Sequence, residues 1–322
     1  MAETDLNNTS AQVADNPVEI SAIVTCYYEE NSIEEFFEKL YQALESTGRS
    51  YEIIMVNDGS TDKTFDKLKE IFHKYTNVKM VMDLFKNAGQ PAAVTAAITH
   101  SKGRIIFLLD SDLQFDPMEV KLLLKEYDKG YDVVSGARKN RKDSLLRIIP
   151  SKVANYIMRK ASQSDFTDFG CTFKLYNADI IHAYELGPTN IINAPRIISS
   201  AQNCCEVPIT HYPRKYGKSG WTFRKLWDYN MENLMEMSRR PFQILGGLCL
   251  FAAFLFILRV VIDIFFPFEI IGQITNALLL YVIIISFLIT AGTITILGEF
   301  TIRIYLSTQK KPRYIIREKL ER

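Results

Sequence analysis

Two carboxylates one residue apart, Asp110 and Asp112, stand at the end of the apolar run 105–109. Hard divalent cations such as Mg²⁺ and Mn²⁺ take oxygen ligands and are commonly held by one or two carboxylates together with substrate phosphates. A lone Asp-x-Asp is also an ordinary turn or helix cap after a strand. What tilts the balance toward a cation site is a further acid in an equivalent place, Asp58, in the turn Asp58-Gly59-Ser60 after the run 51–57. Its glycine and serine suit a turn and a cap, and its carboxylate suits a hydrogen bond to a base or ribose. No G-x-G-x-x-G or G-x-x-x-x-G-K-[ST] occurs at these turns, which argues against a dinucleotide enzyme or a P-loop ATPase. Asp168-Phe169-Gly170 mimics a kinase tripeptide, but there is no His-Arg-Asp to accompany it.

The elements that must position these groups follow from the apolar pattern. Strand-like runs at 20–26, 51–57, 78–84, 104–110 and 131–137 alternate with amphipathic helical stretches at 32–47, about 61–75, 91–101 and 117–129. Ser32 followed by Glu35 has the form of a capping box, and Pro117 suits the first turn of its helix. Such alternation predicts an α/β fold with a mostly parallel sheet, whose ligands bind beyond the carboxyl ends of the strands. Polar residues gather at those ends: Thr25, Tyr27 and Glu29; Asn57 and Asp58; Lys86, Asn87, Gly89 and Gln90; Asp110, Ser111, Asp112 and Gln114; Gly136, Arg138 and Arg141. The isolated histidines 73, 100, 182 and 211 suit structural or surface roles.

The 322 residues hold 38 Lys+Arg against 37 Asp+Glu, so nothing in the overall charge points to nucleic acid. Five cysteines, scattered and without a C-x-x-C, fit a reducing compartment better than a disulfide framework or a zinc cluster. Apolar residues are concentrated late in the chain. Residues 242–258 and 274–297 carry no charge, and a membrane helix needs about 20 such residues. Arg259 and Asp263 lie four apart and can pair at the far end of the first segment, as can Glu299 and Arg303 after the second. Lys and Arg flank the pair on both outer sides, while the connector 266–273 has none, which places both ends in the cytoplasm. The predicted organisation is a polar disordered tail at 1–17, a cytoplasmic catalytic domain at 18–220 and an interfacial amphipathic helix at 221–240. A two-helix membrane hairpin at 241–306 (helices at about 242–265 and 274–297) and a basic cytoplasmic tail at 307–322 complete it.

The segments SAIVTCYYEE (21–30), YEIIMVNDGSTD (51–62), KNAGQPAA (86–93), LDSDLQFDP (109–117) and YDVVSGARKNRKDS (131–144) resemble glycosyltransferase family 2. DFGCTFKLY (168–176), PRKYGKSGWTF (213–223), LGEFTIRIY (297–305) and KPRYIIRE (311–318), with the two apolar segments, resemble its membrane-anchored polyprenyl-phosphate glycosyltransferases. The likeness runs from about residue 18 to the C-terminus.

That resemblance implies a Rossmann-like GT-A domain that moves a sugar from a nucleoside-diphosphate sugar, UDP rather than GDP, to a polyprenyl phosphate with inversion. Thr25, Tyr27, Glu29 and Asp58 match positions that hold base and ribose. Asp110 and Asp112 match the acidic motif for Mg²⁺ or Mn²⁺ and diphosphate, with Gln90 and Gln114 beside it. Asp168 matches an acid near the acceptor, and Arg138, Arg141 and Arg214 match basic positions near the phosphates. The partners implied are the lipid bilayer and further copies of the chain in a homo-oligomer. The chain departs from the family pattern at Thr25, where proline is usual, at Tyr28, where asparagine is usual, at Lys86 and at Gly220. Lys215 or Lys218 could supply the charge missing at Gly220. The acceptor is a phosphate monoester with a second pKa of about 6, largely ionised at neutral pH. It needs no strong general base, and Asp168 is expected to orient the acceptor or a basic neighbour. The alternatives are a processive polysaccharide synthase, a non-catalytic membrane scaffold with the same fold, and a cytosolic nucleotidyltransferase with an oligomerising hairpin.

Overall fold

The computed structural model describes residues 17–139, 159, 166–216, 240–265 and 272–322. The expectations for the tail 1–16, for Arg141, for Lys218 and Gly220, and for the interfacial helix through residue 239 lie outside the described residues, as do the side chains of Arg259, Asp263 and Arg303.

The strands are β1 (Ile20–Cys26), β2 (Tyr51–Asn57), β3 (Val78–Leu84), β4 (Ile105–Asp110), β5 (Val133–Lys139), β6 (Lys174–Asn177), β7 (Cys204–Thr210) and β8 (Ile316–Glu321). They form one eight-stranded sheet in the order β7-β5-β6-β4-β1-β2-β3-β8. β6 runs antiparallel to β4 and β5, β8 runs antiparallel to β3, and the other described pairings are parallel. The order β3-β2-β1-β4 puts a topological switch between β1 and β4, the position at which sheets of this kind form a ligand crevice beyond the strand ends. Thr25 and Asp110 are register partners at that switch.

Helices α1 (Ile33–Glu45), α2 (Thr64–Lys74), α3 (Gln90–Ile98) and α4 (Val120–Tyr127) follow β1 to β4, the last after a 3₁₀ turn at Pro117–Glu119. Two short helices, α5 (Ala178–His182) and α6 (Ala194–Ser200), follow β6. All seven residues of β1 are buried, and their side chains alternate between two apolar layers. Ala22, Val24 and Cys26 meet Phe36, Phe37 and Leu40 of α1, while Ile23 belongs to the layer under α3.

Two expectations change in detail. Ser32 makes no side-chain cap to α1; its hydroxyl donates to the carboxylate and carbonyl of buried Glu29. Glu35 instead faces Lys39 at 3.1 Å and Lys215 at 2.7 Å. Ser32 is thus drawn toward the desolvated acid that precedes it. The basic tail also does not stay a tail: residues 316–321 are the edge strand β8. Its exposed Arg, Glu and Lys side chains suit a sheet edge that must not recruit another chain.

Two long helices precede β8, α7 (Arg240–Phe265) and α8 (Gly272–Thr308). Among the described residues, Leu280–Ile302 is long and apolar enough to cross a membrane, with a mean hydropathy of 2.4. The described apolar part of α7 is the shorter Gly246–Leu258. Leu250, Phe251, Phe287 and Leu288 are exposed, large apolar side chains of the kind that mark an interaction surface when they lie together. Cys249 Sγ and Thr293 Oγ1, 3.6 Å apart, join the two helices.

Candidate active site

The crevice at the switch gathers side chains from β1, β4, α3 and the segment before β6 onto one carboxylate. Asp110 Oδ1 accepts from Thr25 Oγ1 at 3.2 Å and from Gln90 Nε2 at 2.5 Å, and its Oδ2 accepts from Thr172 Oγ1 at 2.8 Å. Asp112 is turned back by Leu113, which has a left-handed φ of 58°. Its Oδ1 accepts the Gln114 N–H at 3.1 Å, and its Oδ2 meets Arg214 Nη2 at 2.7 Å. Burial, and then the nearby Asp112 charge, push the Asp110 carboxyl up to about 6. Like charges held together out of water are relieved by a proton or by a nearby cation. Arg214 supplies one, and an all-oxygen pair of carboxylates at a strand end also fits Mg²⁺ or Mn²⁺. Among the described residues no cluster of three or more His, Cys, Asp or Glu converges as a complete ligand set, so such an ion would draw further oxygens from its substrate.

Glu29 feels the charges of Asp112, Arg214 and Asp110. Burial raises its carboxyl to about 7, opposed by the Ser32 hydroxyl and reinforced by Asp112. Tyr27 and Tyr28 precede it in the chain, both exposed, with ring centroids 4.6 Å apart. Tyr28 has a left-handed φ of 57°, a conformation that asparagine accepts far more readily than tyrosine. Its N–H donates to Ser60 Oγ at 3.0 Å, and its hydroxyl lies 3.0 Å from Thr61 Oγ1.

Asp58 has a structural task in the same place. It accepts the Ala88 N–H at 2.7 Å, the Gly89 N–H at 3.0 Å and Asn87 Nδ2 at 2.9 Å, and so holds the loop after β3. Gly59 lets that loop come close, since a Cβ there would sit 2.3 Å from the Lys86 carbonyl carbon.

A second group of charges lies on the β5–β6 side. Arg138 grips Asp168 with Nε on Oδ2 and Nη2 on Oδ1, both at 2.6 Å. The Asp168 N–H donates to Glu206 Oε1 at 2.8 Å, and Thr167 also donates to Glu206, through its N–H and its hydroxyl. Burial pushes the Asp168 carboxyl up, but the Arg138 hydrogen bonds and charge more than offset this and hold it below the usual range. Beneath it, buried Lys174 donates to the carbonyls of Phe169 and Cys171, and burial lowers its pKa.

Thr25, Gln90, Asp110 and Asp112 therefore share one centre, with Arg214 beside it. Glu29 and the two tyrosines follow Thr25 in the loop after β1, with Glu29 close enough to feel the Asp110 and Asp112 charges. Gln114 faces the 211–212 segment, its Nε2 3.4 Å from the Tyr212 carbonyl. Lys215 is drawn to Glu35 and away from the carboxylates. Thr172, Lys174 and Glu206 escaped sequence reading. Thr172 follows Asp168-Phe169-Gly170-Cys171, so the position was in view, but only the antiparallel return of β6 beside β4 brings it to Asp110.

A doubly wound sheet with an acidic pair and a basic rim at its switch point is the architecture of nucleotide-sugar transferases. Residues 21–184 match Glycosyl transferase family 2, and the chain belongs to that family. It is a glycosyltransferase. The undecaprenyl-phosphate 4-deoxy-4-formamido-L-arabinose transferase of Photorhabdus laumondii subsp. laumondii is 30% identical over 308 residues, 93% of each chain. The protein of the same name from Edwardsiella ictaluri is 29% identical over 306 residues, 92% of this chain and 93% of that one. Among solved structures, mannosyl-3-phosphoglycerate synthase from Rubrobacter xylanophilus aligns with a TM-score of 0.52 at 13% identity, covering 71% of this chain and 75% of that one. Glucosyl-3-phosphoglycerate synthase from Mycobacterium tuberculosis, in complex with Mn²⁺, UDP-glucose and phosphoglyceric acid, aligns with a TM-score of 0.50 at 15% identity. That match covers 68% of this chain and 79% of the synthase.

Proposed function

We propose that the protein transfers a sugar from a nucleoside-diphosphate sugar, preferably a UDP-sugar, to the phosphate of undecaprenol or a related polyprenol at the cytoplasmic membrane face. The observation that carries this reading is the convergence of Thr25, Gln90 and Thr172 on Asp110, with Asp112 and Arg214 alongside. The names of the relatives, matched along almost the whole chain, supply the acceptor class. Tyr27, Tyr28 and Glu29 are the side for base and ribose, and Asp58 contributes by fixing the loop that faces them.

A divalent ion, Mg²⁺ or Mn²⁺, held by Asp110 and Asp112 would neutralise charge on the departing diphosphate. Arg214, 2.7 Å from Asp112, is within reach of the same charge. The acceptor phosphate attacks the anomeric carbon as its bond to the diphosphate oxygen breaks, giving an inverted sugar phosphodiester. Asp168 is a poor proton acceptor: it is held ionised, and both its oxygens are engaged by Arg138. Its task is to hold the guanidinium at the acceptor side, where an ionised phosphate needs a counter-charge and no base.

Both long helices are read as membrane spans, α7 entering and α8 returning, with the catalytic domain and both termini cytoplasmic. The protein acts as a homo-oligomer, as the resemblance implies. The test uses the full chain in nanodiscs with undecaprenyl phosphate, Mg²⁺ or Mn²⁺, and a panel of UDP- and GDP-sugars. Nucleoside diphosphate release that requires both lipid and metal supports the reading. Donor binding without lipid-dependent release from any member of the panel counts against it.

A further inference from the structure

β8 follows the apolar helix α8, yet it connects by side chains to the nucleotide side of the crevice. Its pairing with β3 slips between Asp83 and Leu84: Asp83 faces Glu318, Leu84 faces Ile316, and Arg317 is the extra residue. A bulge of this kind re-aims one side chain. Arg317 Nε donates to Asp83 Oδ2 at 2.6 Å, and Nη2 meets the same oxygen. Asp83 is fully buried, and its Oδ1 accepts Asn57 Nδ2 at 2.7 Å. With its amide nitrogen committed, Asn57 turns its Oδ1 to the Ser60 hydroxyl at 2.5 Å, and Ser60 Oγ accepts the Tyr28 N–H at 3.0 Å. The relay thus crosses β8, β3 and β2 to the loops after β2 and β1, ending at the left-handed backbone of Tyr28.

We propose that Arg317 is a positioning residue for the nucleoside diphosphate: through Asp83, Asn57 and Ser60 it fixes the Tyr28 turn at the mouth of the donor site. The inference rests on the assignment of Tyr27, Tyr28 and Glu29 to the nucleotide. Without the guanidinium, buried Asp83 has lost its cation, and the orientation of the Asn57 amide is no longer imposed. A residue that only clamped the edge strand would stabilise the fold and leave nucleotide affinity alone. Arg322 is the internal control: it anchors the same strand by donating to the carbonyls of Phe72 and Tyr75, remote from the relay.

The experiment is calorimetric titration of the full chain in detergent with UDP, and separately GDP, in the presence of Mn²⁺. Arg317→Leu is expected to raise the dissociation constant about tenfold, the loss of one charge-assisted contact. Arg322→Leu is expected to lower the melting temperature and leave that constant unchanged. Arg317→Leu combined with Asp83→Asn removes both charges, restores a neutral partner for Asn57, and is expected to recover wild-type affinity. If Arg317→Leu does not fold, Arg317→Lys tests the fork alone and is expected to weaken binding about threefold. Wild-type affinity in Arg317→Leu or Arg317→Lys, or a double variant as weak as Arg317→Leu, overturns the relay. Failure of the wild type to bind either nucleotide overturns the donor-site assignment itself, and the relay with it.

Discussion

The two flanks of the crevice are built by different means. On the β1–β2–β3 flank, the loops at the strand ends are held by hydrogen bonds from backbone N–H groups: Asp58 receives the Ala88 and Gly89 amides, and Ser60 receives Tyr28, while the Arg317–Asp83 ion pair sits behind them toward β8. On the β4–β6–β5 flank ion pairs stand at the site itself, Arg138 with Asp168 and Arg214 with Asp112, and buried Lys174 donates to the Phe169 and Cys171 carbonyls. In the proposed reading the first flank receives the base and ribose, and the second sets cations against the two phosphorylated groups that must meet. Removing one partner of a buried ion pair destabilises more than removing one of several hydrogen bonds on a loop.

The largest test of that contrast is Asp168→Asn. Removing the Asp168 charge beside buried Arg138 is expected to destabilise the domain by about 3–5 kcal/mol, read from thermal unfolding in detergent. An unchanged melting temperature would mean that Arg138 has another full counter-charge. Asp112→Ala comes next, with an expected loss of about 10²–10³-fold in turnover at saturating Mn²⁺. Retention of more than a tenth of wild-type turnover would remove Asp112 from the chemistry. Lys174→Met keeps the volume but strands two carbonyls, at about 1–3 kcal/mol. Its KM for the lipid acceptor should rise while UDP affinity holds, and the reverse would merge the two flanks into one.

Glu29 gives a pH signature for the donor side. Burial lifts its folded pKa to about 7, above the unfolded value, so the folded state keeps its proton longer. The associated stability is therefore full below the unfolded pKa and is lost as pH rises through about 7. Glu29→Gln should remove roughly 1–2 kcal/mol of that slope between pH 5 and 8. Identical slopes in the two proteins would place the desolvated charge elsewhere. The smallest effect belongs to Tyr28→Asn, which relieves the left-handed strain and should stabilise by under about 1 kcal/mol.

The parallel half of the sheet was legible because each of its chemical residues directly follows an apolar run. Thr25, Asp58, Gln90 and Asp110 could be placed by counting from strand ends alone. The other flank depends on contacts far apart in the chain. Thr172 reaches Asp110 across 62 positions and Arg214 reaches Asp112 across 102. No local pattern marks such pairs: the reversal of β6 brings in Thr172, and the chain beyond β7 brings in Arg214. β8 was missed for a related reason. The segment IREKLE is as charged as a solvated tail, and its strand character comes from β3 beside it. The capping box misled because desolvated Glu29 competes for the Ser32 hydroxyl.

The antiparallel run of β8 also sets a length. Residues 309–315 join the end of α8 to the start of β8, which lies opposite Leu84 at the catalytic end of β3. Seven residues reach at most about 25 Å. With α8 in a bilayer, the mouth of the crevice is leashed to the headgroup layer by a cord shorter than the membrane is thick. The enzyme and its lipid then meet within a thin shell, where confinement raises the effective acceptor concentration without any added contact. Inserting flexible residues at 309–311 would lengthen that leash and dilute the encounter, leaving every atom of the crevice in place.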